Sequence, residues 1–201
     1  MNIGAHVSVA GGLDKGIERA VAMGANVLMT FASSPRSLKF QVPSDKVIES
    51  YKQKKSKSKI TQHFFHAPYL INLASDDKKY LKASVELLVS YQQLAYEIGA
   101  VGTIFHIGSY KDSGFESKAG QIATSINYIL DSSPRGTKLI IENTVNYTLA
   151  QLRDIIDSVG DKPKIGVCLD TQHAFAAGIP LAKLLDQFGH EVGLKYISAT
   201  S

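Results

Sequence analysis

Five side chains of metal-binding type stand at or just beyond the ends of four apolar runs: His66, His106, Glu142, and the pair Asp170 and His173. Neutral imidazoles and carboxylates are the donors that zinc-like ions take, and strand ends are where an α/β scaffold gathers its chemistry. Period-two alternation puts His66 on the face of Phe64, His106 with Ile104, Glu142 with Ile140 and Asp170 with Cys168. Each polar group therefore caps a buried row, where a carboxylate needs a cation or hydrogen bonds to offset its lost hydration. Satisfied strand-end polar residues explain one or two such positions readily, but four strands together favour a shared cation site. Asp170 and His173 lie three apart in LDTQH, so a turn can aim both at one place; a helix-capping Asp and a surface His are the plainer alternative.

The remaining histidines read differently. His63 is out of phase with His66 and should face a helix layer, and His190 lies in the polar stretch after Phe188. His6 ends the first apolar run, where lining the site and structural hydrogen bonding are both open. The single cysteine, Cys168, sits inside the apolar run 165–169 and reads as core; it allows no internal disulfide and fits a reducing, cytosolic setting.

These residues need a scaffold, and the chain supplies an α/β one. Its 201 residues, 44% of them hydrophobic, suffice for one domain spanning 1–201 with a sizeable core. No apolar stretch approaches a bilayer span and the first residues lack a secretory pattern, so no membrane role is expected. A net charge of +4 leans only weakly toward a polyanionic partner. The densest basic cluster, Lys52, Lys54, Lys55, Lys57 and Lys59, reads as a solvated helix end and connection.

Short apolar runs at 2–7, 26–31, 60–65, 103–105, 138–141, 165–169 and 194–197 alternate with helical patterns at 13–23, 44–53, 78–98, 118–130, 149–159 and 181–188. Such alternation signals βαβ units and a parallel sheet. Seven strands and six helices are one strand and two helices short of a TIM (β/α)₈ barrel, so the fold expected is an incomplete barrel lacking its last strand and final helices. An open doubly wound sheet fits the pattern as well, but ligand candidates after strands three, four, five and six favour the barrel.

At these residues the chain resembles the endonuclease IV family, the zinc-dependent apurinic/apyrimidinic endonucleases of base excision repair. The resemblance runs through IGAHVSVAGGL (3–13), SPRS (34–37), HAPYLINLAS (66–75), FHIGS (105–109), IENT (141–144), GVCLDTQHAFAAG (166–178) and GLKYISA (193–199). It implies a TIM barrel with three zinc ions at the C-terminal face. His66 and His106 are then ligands of one ion, Glu142 bridges it to a second and is the residue on which catalysis rests, Asp170 binds the second and His173 the third. It also implies duplex DNA containing abasic sites as substrate, with Arg36, Tyr69 and Leu70 entering the base stack opposite a flipped nucleotide. On that arrangement the lysine cluster lies at the far face of the barrel, away from the scissile strand.

The sequence departs from the family in three places. Val145, Asn146 and Tyr147 replace a glycine-rich loop, Ile107 stands where a proline is typical, and the further ligands expected after GLKYISA are not among the 201 residues. Fewer than three ions, and self-association through an unclosed barrel edge, are the corresponding expectations. Three readings remain from sequence: an abasic-site endonuclease, a non-catalytic DNA-binding remnant, and a metal-dependent sugar isomerase or epimerase on the related scaffold.

Overall fold

Strands buried on both faces must be largely apolar, and the runs at 60–65, 103–105, 138–141 and 165–169 become strands of that kind, while the first and last runs stay partly exposed. A computed structural model describes residues 1–201. Its strands are β1 Gly4–His6, β2 Val27–Thr30, β3 Gln62–His66, β4 Gly102–Phe105, β5 Lys138–Glu142, β6 Ile165–Leu169 and β7 Ile197–Thr200. All pair in parallel, each with its neighbour in sequence, in the order β1-β2-β3-β4-β5-β6-β7. The connections carry helices α1 Leu13–Ala22, α2 Asp45–Ser56, α3 Lys78–Glu97, α4 Phe115–Asp131 and α5 Leu149–Asp157, and two helices, α6 Thr171–Ala176 and α7 Leu184–Glu191, precede β7.

This is the incomplete barrel, not the open doubly wound sheet. Strand order never reverses, and β1 and β7 flank one cleft of about 440 Å³ whose walls include Gly4, His6, Ser198 and Thr200. No β1–β7 ladder closes it.

Two apolar layers hold the sheet. On its outer face Leu28, Phe65, Phe105, Leu139, Ile141 and Val167 belong to a cluster of 44 buried residues that the helices complete. Each such side chain contributes about 1.5–3 kcal/mol on burial. On the inner face Phe64, Ile104, Ile140 and Cys168 form a separate cluster of their own. These four stand two positions before His66, His106, Glu142 and Asp170, so the alternation that predicted a shared face for the candidate ligands is realised as a packed layer beneath them.

One glycine sets how closely β4 and β5 approach. Gly102 has φ +155, and a Cβ there would lie 1.9 Å from the Lys138 carbonyl oxygen. Only glycine permits this contact at the start of the strand that carries His106.

The structure corrects the expected elements near the C-terminal end. There are seven α-helices rather than six, because Asp170 caps the short helix α6. The last strand begins at Ile197, not Leu194, since Gly193 at φ 109 starts a 3₁₀ turn over Leu194–Tyr196. Pro180 and a 3₁₀ turn likewise delay α7 to Leu184. The lysine cluster lies largely on α2, where Lys54 pairs with Asp14 and Glu18 of α1, and Lys52 with Glu97 of α3. These surface pairs, of which Lys54–Asp14 is partly buried, contribute little each, but they tie three helices together.

Candidate metal centre

The candidate ligands come together at the C-terminal ends of β3 to β6. His66 Nε2 lies 2.9 Å and His106 Nε2 3.4 Å from Glu142 Oε2, while His173 Nε2 lies 3.7 Å from Glu142 Oε1. Two groups result, His66–His106–Glu142 and Glu142–Asp170–His173, each with its donor atoms within 4.8 Å of one another. The Glu142 carboxylate belongs to both and turns a different oxygen to each.

The donor chemistry of the first group suits a cation. The Ala67 carbonyl, which only accepts, lies 2.7 Å from His66 Nδ1, so Nδ1 carries the ring proton. A neutral His66 then presents the lone pair of Nε2 to a carboxylate oxygen, which also only accepts. Two acceptors 2.9 Å apart repel unless a proton or a metal ion lies between them. His106 Nε2, buried beside the same oxygen, has no hydrogen-bond partner at all. A nitrogen–nitrogen–carboxylate donor set with an unpartnered buried nitrogen fits a zinc-like ion. Burial pushes the Glu142 carboxyl up, but His106 and His66 together outweigh burial and hold it down at about 2. Both imidazoles thus favour the ionised carboxylate, the form that serves as a metal ligand.

The second group is anchored through backbone. Asp170 Oδ1 accepts from the His173 amide at 2.6 Å as the cap of α6, and Oδ2 accepts from the Ser201 hydroxyl at 2.9 Å. The capping role weighed from sequence is thus present together with the convergence on Glu142, and the two use different lone pairs. The Asn143 side chain brackets Asp170, with Oδ1 accepting from the Asp170 amide at 2.6 Å and Nδ2 donating to its carbonyl at 3.0 Å. Neither Asn143 nor Ser201 stood out in the sequence; the available signal was a polar IENT segment ending an otherwise apolar strand.

Aromatic rings roof the imidazoles. Tyr69, largely exposed, has its ring centroid 5.5 Å from that of His66 and 5.8 Å from that of His106, with Phe31 at 5.6 Å behind it. Leu70 is also exposed beside it. Arg36 is exposed on the β2–α2 connection and makes no ion pair. A crevice of about 600 Å³ between Ser8, Val9, Ser33, Pro35 and Tyr69 opens next to His6. His6 stacks on His66 at 5.9 Å but joins neither donor group; burial, then the neighbouring His66, lower its basicity against the opposing pull of Glu142. His63 faces the helix layer, as its phase requires, and His190 is exposed on α7. Cys168 is buried beneath the centre, where burial raises its thiol to about 12 and leaves it unreactive.

Comparison with known proteins agrees with this architecture. Residues 17–200 match the profile of the xylose isomerase-like TIM barrel family. The chain is 35% identical over 206 residues to a protein of Halothermothrix orenii named probable endonuclease 4, covering 96% of this chain and 74% of that relative. A protein of the same name from Campylobacter concisus is 36% identical over 211 residues, covering 98% of this chain and 74% of its own length. The chain belongs to the endonuclease IV family. The crystal structure of endonuclease IV from Thermus thermophilus matches with a TM-score of 0.87 at 26% identity, over 100% of this chain and 75% of that one. A D-tagatose 3-epimerase-like protein matches at a TM-score of 0.78 and 19% identity, a likeness that shows the fold alone. Membership of the endonuclease IV family fits a site whose donors all lie at the C-terminal strand ends of a βα barrel, where such folds place their chemistry.

Proposed function

We propose that this chain is a DNA-repair endonuclease that hydrolyses the phosphodiester 5′ to abasic sites in duplex DNA, using zinc held by His66, His106, Glu142, Asp170 and His173. The observation that carries the reading is the shared Glu142 carboxylate, with Oε2 toward His66 and His106 and Oε1 toward His173. The relatives named endonuclease 4 support DNA as the substrate. His66 and His106 would hold one ion, Glu142 would serve that ion and a second, Asp170 would bind the second, and His173 would help hold a third.

Zinc, when bound, supplies Lewis-acid polarisation of a phosphate and lowers the pKa of water. The protein's residues do the rest. The Ala67 carbonyl fixes the His66 tautomer, so the ring offers a lone pair toward Glu142. Glu142 has little solvent contact and stays ionised well below neutral pH, ready to neutralise positive charge at the phosphate's side of the site. Tyr69 and Leu70, exposed beside the imidazoles, and Arg36, exposed on the β2–α2 connection, enter the base stack opposite a flipped nucleotide. No side-chain nucleophile is required, and Cys168 is buried in its unreactive form.

Incubation with duplex DNA containing one abasic site should give incision that a chelator abolishes and added zinc restores, with an undamaged duplex left intact. Tight binding of the abasic duplex without cutting would overturn the enzymatic reading in favour of a DNA-binding role. The same proposal includes a cytoplasmic setting, in keeping with one unpaired cysteine and no helix long and apolar enough to cross a membrane.

The free edges of β1 and β7 present unpaired backbone groups to solvent, a template for pairing with another chain. Self-association is therefore part of the reading. Sedimentation velocity across a hundredfold concentration range should show a species larger than the monomer, and a strictly monomeric chain throughout would refute it.

A further inference from the structure

We propose that Asn143 is the positioning residue for the second cation group: its side-chain amide clamps the backbone of Asp170 and so sets where the Asp170 carboxylate points. This rests on reading Glu142 and Asp170 as ligands of a second cation, with His173 beside them. Asn143 follows Glu142 directly, at the point where β5 ends. In the β5–β6 register Glu142 lies opposite Cys168, and the next ladder bond, from the Asn143 amide to the Cys168 carbonyl, has lengthened to 3.4 Å.

The side chain takes over where the backbone lets go. Its carbonyl oxygen accepts from the Asp170 N–H at 2.6 Å and its amide donates to the Asp170 C=O at 3.0 Å, so a side-chain amide serves as one more peptide unit of the ladder. Asn143 is buried, so both bonds are shielded from competing water. Asparagine alone among residues of this length offers one acceptor and a donor side by side; Asp lacks the donor, and Leu of similar size lacks both.

Holding Asp170 at both its N–H and its C=O fixes the residue's orientation between β6 and α6. Its two carboxylate oxygens are then free to divide their remaining lone pairs between the cap on His173, the Ser201 hydroxyl and a cation. Supporting residues of this kind are worth about 10–100-fold in metal affinity. Because Asn143 touches Asp170 and not His66 or His106, its effect should be confined to one of the two groups.

The test is a titration with zinc alone against a competing chromophoric chelator, repeated with cobalt(II) followed by its visible absorption. Reference variants His66→Ala and Asp170→Asn assign the binding steps to the first and second groups. In Asn143→Leu the step lost in Asp170→Asn should weaken at least about tenfold, while the step lost in His66→Ala moves less than about threefold and the cobalt spectrum of that step is unchanged. A merely structural role would lower both steps and the thermal midpoint together, and that result, or no shift in either step, would overturn the proposal. Should Asn143→Leu fail to fold, Asn143→Gln keeps both amide groups and their neutral charge but moves them one methylene outward, and is read by the same two steps. A wild-type chain with no step sensitive to Asp170→Asn would remove the second group itself, which is a distinct outcome from a second step that ignores Asn143.

Discussion

Replacing Glu142 with Gln is expected to cut incision of abasic DNA by about 10³-fold and to remove most of the stability that zinc confers on the chain. The loss follows from sharing: both donor groups contain this carboxylate, so its removal takes a ligand and a negative charge from each. Several kcal/mol of charge stabilisation go with it, and each ~1.4 kcal/mol is tenfold in rate. Chemical denaturation in chelator and in zinc measures the second effect: wild type should gain stability from zinc and the variant far less. A variant that zinc stabilises as fully as wild type, or one that keeps its incision rate, would refute the role of Glu142.

Acid should unfold this protein earlier than its carboxylates alone would dictate, because of His63. That imidazole is fully buried between β3 and α2, 2.9 Å from the Thr30 hydroxyl and 2.8 Å from that of Tyr51. The two hydroxyls satisfy a neutral ring but bring no negative charge, so burial, aided by Lys55, lowers its pKa to about 3. With the folded value below the unfolded one, the unfolded chain takes up the proton first. The contribution is therefore intact above pH 6.5, the unfolded value, and is lost as pH falls toward 3, at about 1.4 kcal/mol per pH unit. Between pH 6.5 and 4.5 the unfolding free energy should drop by about 3 kcal/mol from this residue. His63→Gln, which cannot titrate, should be less stable at pH 7 and should lose that slope. Urea titrations at several pH values check it, and parallel curves for the two proteins would rule it out.

Much of this centre could be read from spacing. The period-two rule put His66, His106, Glu142 and Asp170 above Phe64, Ile104, Ile140 and Cys168, and the structure packs those four together under the site. His63 was separable from His66 by phase alone, because a strand offers just two faces. The misses share a physical cause. Helix α6 has six residues, too few for periodicity to register, and its existence depends on a cap by a residue that reads equally well as a ligand. The start of β7 depends on a positive φ at Gly193, which sequence permits without requiring. Asn143 was legible as a polar residue in a motif, but its two bonds to Asp170 span 27 positions of chain and appear only once β5 and β6 are paired.

The strand order also fixes a sequence in time. Since each strand pairs with the one synthesised just before it, the sheet can be laid down unit by unit as the chain leaves the ribosome. The imidazoles of His66 and His106 are in place when β3 and β4 dock, before any acidic partner has been made. Glu142 comes with the fifth strand, and Asp170 and His173 only with the sixth and the helix after it. A nascent chain that stops short of Glu142 exposes bare histidines and nothing to bridge them, so a shared cation site can form only after the fifth strand has been made.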